Sequence, residues 1–134
     1  MSESYISVVL RRKVMARASK RCEYCLIHED DCFWGCEVDH IISEKHGGST
    51  SVGNLAFCCA FCNRHKGADI AALDPRRRVV PLFHPRRDQW HEHFQIRGLR
   101  IIGLTMIGKA TAKLLRFNDP ARLEERAAMT SPKT

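Results

Sequence analysis

Cys22-Glu23-Tyr24-Cys25 and, after 33 intervening residues, Cys59-Ala60-Phe61-Cys62 are the stretches that decide how this chain folds. A C-x-x-C turn presents both sulfurs to one ion, and two such turns complete the tetrahedron that Zn²⁺ accepts. The gap exceeds the ~15–20 residues between the pairs of a small zinc ribbon, so it has room for a functional insertion. Zinc at this point would close a long loop, and its binding energy would become folding energy. Four thiolates leave such an ion no open position, which makes it structural and not catalytic. Three more cysteines remain of the seven. Cys32 and Cys36 read as packing or adventitious thiols. Cys58 competes with Cys59, but only Cys59 has the two-residue gap to Cys62.

The rest of the composition narrows the setting. A chain of 134 residues has the length of one domain, and no apolar run approaches the ~20 residues of a membrane span. Its start, MSESYISVVLRRKV, surrounds a short apolar patch with acid and base and lacks a signal peptide's layout. A cytoplasmic protein is therefore expected, where thiols stay reduced and paired cysteines bind metal more often than each other. The formal charge of +7 is uneven: residues 1–59 hold 7 basic and 8 acidic side chains, residues 60–134 hold 15 and 7. A basic half points to a polyanion, most simply nucleic acid, although a solubilising surface accounts for the charge equally well.

The pattern along the chain predicts an α+β fold. Ser4 to Ser19 reads as a helix with Ile6, Leu10, Val14 and Ala18 at spacing four, Val9 and Met15 beside them, and Ser4 or Ser7 as cap. Glu37–Ile42 reads as a strand, His46–Ser51 as a glycine-bearing loop, Leu55–Cys58 as the returning strand, and the stretch from Cys59 through Lys66 as a helix. These make a zinc-stapled ββα core over about 20–70. Asp74-Pro75 breaks the pattern, with Arg76, Arg77 and Arg78 in the turn. A smaller α/β appendage over about 79–129 completes a single domain. Its expected strands are Val79–Phe83 and Leu99–Leu104, and its expected helices Arg86–Phe94, Lys109–Phe117 and a last one from Pro120. Residues 130–134 read as frayed.

Asp39-His40, Asn54 and Asn63 carry the candidate chemistry. Cleaving a phosphodiester needs a base for water and a cation for the charge that develops on phosphorus. Imidazoles titrate near neutral pH and suit the first task. Asp39 and Asn63 offer oxygen, which suits Mg²⁺ or Mn²⁺ and not Zn²⁺. One geometric difficulty accompanies this set: neighbours on a regular strand point to opposite faces, so Asp39 and His40 converge only if the strand ends or twists there.

VDHIISEKHGG (38–48), GNL (53–55) and CAFCNRHKG (59–67) together resemble the HNH endonucleases of the ββα-metal class. The leading helix and VVPLFHPRRDQWHEHF (79–94) also look like those of stand-alone HNH proteins. The resemblance implies a metal-dependent DNA endonuclease that leaves a 5′-phosphate. It makes His40 the general base, Asp39 and Asn63 the Mg²⁺ or Mn²⁺ ligands, and Asn54 the residue that shapes the loop and orients the His40 ring. It assigns phosphate contact to Arg64 and Lys66. RNA remains an alternative substrate, and a catalytically silent zinc-knuckle DNA-binding module an alternative function. His91-x-His93 and His65 read as surface residues, His65 with DNA contact as the other option. The arginines at 76–78, 86, 87, 97 and 100 either track a nucleic-acid backbone or merely solvate turns.

Overall fold

The computed structural model describes residues 5–129, so the reading of Ser4 as a cap and of 130–134 as frayed lies outside the described residues. Ser7 caps the first helix, α1 (Val8–Arg17), its hydroxyl accepting from Leu10 N at 3.1 Å. Val14 is buried on its inner face and Ile6, just before the helix, is buried in the same cluster, with Leu10, Met15 and Ala18 half-buried. Val9 is not part of that face and is 63% exposed. It precedes Val14 by five residues, which puts it about 140° round the helix. Ser19 and Lys20 then take positive φ and turn the chain into the first knuckle.

Strands β1 (Cys36–His40) and β2 (Leu55–Cys59) pair antiparallel, with Asp39 opposite Ala56 and His40 opposite Leu55. Helix α2 (Ala60–Lys66) follows at once. This is the expected ββα unit, except that β1 stops at His40 instead of reaching Ile42. Beyond it, β3 (Ala71–Leu73) pairs with β4 (Val79–Pro81). The buried Asp74 carboxylate ties their turn, accepting from Arg76 N, Arg78 N and Arg78 Nε at 2.8–3.0 Å. The sequence does not mark β3, because three half-exposed residues show no alternation.

The expected helix over Arg86–Phe94 is one turn, α3 (Trp90–His93). His84 and Asp88 exchange hydrogen bonds with the backbone of 84–86 and hold that stretch as a turn. Phe94 opens a strand instead: β5 (Phe94–Arg97) pairs with β6 (Arg100–Gly103). Gly98, at φ 60°, supplies the positive angle of their two-residue hairpin turn. Thr105 accepts from Gly108 N and starts α4 (Met106–Leu114) three residues before the expected Lys109. Pro120 does open α5 (Pro120–Ala127). Among the described residues all three sheets are two-stranded and antiparallel, so the C-terminal part is built of hairpins and helices.

That part is less an appendage than a second wall of one core. Tyr24, Ile27, Ile41, Ala56 and the knuckle cysteines share a buried cluster with Phe83, Phe94, Ile101, Leu115 and Phe117. Phe94 sits between Phe83 and Phe117, with centroids 5.4 and 5.6 Å away, and Trp90 Nε1 donates to Tyr24 O at 2.8 Å. A smaller cluster of Ile6, Val14, Val38, Leu55 and Phe57 seats α1 on the first sheet. No helix among the described residues is long and apolar enough to cross a membrane.

Candidate functional site

The sulfurs of Cys22, Cys25, Cys59 and Cys62 lie within 4.8 Å of one another and are buried. Each pair sits on a tight turn whose amides point at sulfur: Cys25 N donates to Cys22 Sγ and Cys62 N to Cys59 Sγ, both at 3.4 Å. β2 decides between the adjacent cysteines, since Cys59 joins the cluster whereas Cys58 pairs with Glu37 across the strands. Burial pushes the Cys22 and Cys62 thiols well above their ordinary range, while hydrogen bonds from Cys22 and Cys25 pull Cys59 down to about 3. Four converging sulfurs in a buried pocket fit a structural zinc ion and leave no place for substrate.

On the outer side of the same ββα unit, Asp39, His40 and Asn63 line one cavity of about 440 Å³ with Ser43, Glu44, Lys45, Arg64 and Gly67. The strand geometry that opposes Asp39 and His40 is relieved because β1 ends at His40, and Asp39 Oδ1 stands 3.8 Å from His40 Nδ1. Asn63 enters from the first turn of α2, one residue beyond the last cysteine. Its Nδ2 donates to Glu37 Oε1 at 2.8 Å, so the amide oxygen is the atom not engaged by Glu37. Glu37 and Asp39 share a face of β1, an i, i+2 signal visible in the sequence but not used there. Among the described residues no second group of three ionisable ligands gathers. A carboxylate and an amide oxygen beside open space suit a hydrated Mg²⁺ or Mn²⁺, which keeps several waters.

Two expected roles change. Asn54 braces the loop, accepting from Ile42 N at 3.0 Å and donating to Ile42 O and Ser49 O at 2.8 Å, but it does not orient the His40 ring. Thr50 does: its Oγ1 is 2.8 Å from His40 Nε2. The Asn54 side chain spends both amide protons and one oxygen lone pair on backbone, and nothing in the sequence distinguishes Thr50 from its hydroxyl-bearing neighbours. Lys66 is likewise not a phosphate-facing residue. It is 5% exposed, and its Nζ donates to Ile41 O at 2.8 Å. Burial lowers its pKa, with the Asp39 carboxylate opposing that shift. Only Arg64 of the two basic residues lines the cavity.

The remaining candidates are dispersed. Arg86 forms an ion pair with Glu23, and Arg78 is taken by Asp74, whereas Arg76 and Arg77 stay exposed. His93 Nδ1 bonds Thr105 Oγ1 at 2.6 Å, His91 packs on Trp90, and His65 packs on Phe61.

A buried four-cysteine cluster compatible with zinc, framing a hairpin and helix with an imidazole at the strand end, defines a small domain of the ββα kind. Residues 22–69, about a third of the chain, match the family model described as HNH endonuclease. The match begins at the first knuckle cysteine and leaves α1 and everything from β3 onward outside it. Neither a curated protein nor a solved structure matches the chain.

Proposed function

We propose that the chain is a divalent-metal-dependent endonuclease that hydrolyses DNA phosphodiester bonds in the cavity of Asp39, His40 and Asn63. One observation carries this reading: the His40 ring is pinned through Nε2 by Thr50, and its Nδ1 edge turns toward Asp39 beside the open cavity. With Nε2–H donating to Thr50, the lone pair on Nδ1 is left to take a proton from water. Asp39 and the Oδ1 of Asn63 would hold Mg²⁺ or Mn²⁺, which when bound neutralises charge on the scissile phosphate. Glu37 keeps the Asn63 amide in the orientation that presents oxygen. Arg64, on the cavity wall, contacts a phosphate oxygen. The product carries a 5′-phosphate, and one such site per chain cuts one strand per event.

The test is supercoiled plasmid incubated with protein and Mg²⁺, beside EDTA and His40→Ala controls. Nicking that disappears in both controls, in a His40→Ala protein that still folds and holds zinc, is the expected outcome. Binding without nicking identifies a silent DNA-binding module instead, and faster digestion of a parallel RNA substrate identifies a ribonuclease.

A further inference from the structure

We propose that Arg122, on the last helix, is the charge partner of the four-sulfur centre, so that α5 governs how firmly the knuckles retain zinc. The guanidinium is 1% exposed. Its Nη2 donates to Cys25 Sγ at 2.9 Å and to Cys59 Sγ at 3.5 Å, and its Nη1 to Cys62 Sγ at 3.5 Å. Three of the four ligand sulfurs thus receive a bond from one side chain. Its Nε donates to Glu125 Oε1 at 3.2 Å, and its flat face lies 4.5 Å from the centroid of Phe61, the ring between Cys59 and Cys62. Glu125 in turn accepts from Phe33 N at 3.0 Å, which anchors the pair to the loop before β1.

The physical reason is charge. Four thiolates around Zn²⁺ carry a net charge of about −2, and a buried charge without a partner is strongly disfavoured. A buried guanidinium has the same difficulty with opposite sign, so its single positive charge offsets part of that negative charge while Glu125 holds its Nε edge. The planar fork reaches several sulfurs at once, which the single ammonium of a lysine does not. Hydrogen bonds to the sulfurs also withdraw electron density, making them poorer targets for protons and competing metals. This inference rests on zinc occupying the cysteine cluster and not on the nuclease reading, and its readouts are independent of nicking.

The experiment follows zinc transfer from the full chain to excess EDTA, detected with a chromophoric zinc indicator, for wild type, Arg122→Met, Arg122→Lys and an exposed control, Lys109→Met. Release at least tenfold faster from Arg122→Met, an intermediate rate from Arg122→Lys and no change in the control are expected. With Co²⁺ loaded in place of zinc, the thiolate-to-cobalt band of Arg122→Met should move to longer wavelength, because sulfurs without these bonds give up electrons more easily. A purely structural arginine would not move that band. Wild-type release kinetics and an unshifted band in the variants overturn the proposal, as does a wild-type chain that binds no zinc. If Arg122→Met does not fold, the release rate and band of Arg122→Lys decide by the same criteria.

Discussion

Replacing Asn54 by alanine should cost this protein about 3 kcal/mol. The side chain is 9% exposed and makes three hydrogen bonds, all to backbone: it receives Ile42 N and donates to Ile42 O and Ser49 O. At a net ~1 kcal/mol each the loss is about 3 kcal/mol, roughly 150-fold in the folding equilibrium. For a domain of this size that corresponds to a fall of about 6–12 °C in Tm. The geometry leaves no room to compensate, because the neighbouring loop is already tight: a Cβ on Gly48 would sit 1.7 Å from Ile42 O and 2.7 Å from Asn54 Nδ2. Urea unfolding at saturating zinc measures the effect without confusing it with metal loss. Asn54→Asp sharpens the test, since it keeps the acceptor, loses both donors and sets an anion against two carbonyls. It should be at least as unstable as the alanine variant. If either variant unfolds within about 0.5 kcal/mol of wild type, the brace is not what holds this loop, and the assignment of Thr50 as the residue presented by it loses its basis.

Other outcomes follow from the same geometry. Thr50→Val should slow nicking about tenfold with little change in stability, the scale of one lost hydrogen bond, and Thr50→Ser should restore it; equal rates for all three proteins would refute the positioning role. Arg64→Ala should flatten the salt dependence of DNA binding by about one phosphate contact, whereas Lys66→Met should leave that slope intact and register only in unfolding. The reverse pattern in a binding titration would return Lys66 to the substrate.

Most of the core was legible because its signals are local. A C-x-x-C turn sets its own sulfur geometry through amides two or three residues away, as Cys22 with Cys25 and Cys59 with Cys62 illustrate. The short apolar run from Leu55 and the capping hydroxyl of Ser7 act over similarly short distances. The elements misjudged are those where local preference is weak. Trp90 and Phe94, one turn apart, read as the end of a helix, yet Phe94 and Ile96 alternate with Gln95 and Arg97 and form β5. Val9 is apolar but falls on another face of the helix, because its angle and not its character decides which side it takes.

The chain's own order of residues determined that two cysteine pairs frame a hairpin and helix, and that Asp39, His40 and Asn63 fall in one short unit. Tertiary structure alone decided the environment of each. Thr50, not Asn54, meets the imidazole; Lys66 turns inward to Ile41 O; and a guanidinium 97 residues beyond Cys25 closes over the sulfurs. Such contacts depend on how distant segments pack around a shared core, and side chains brought together that way leave no spacing rule in the sequence to announce them.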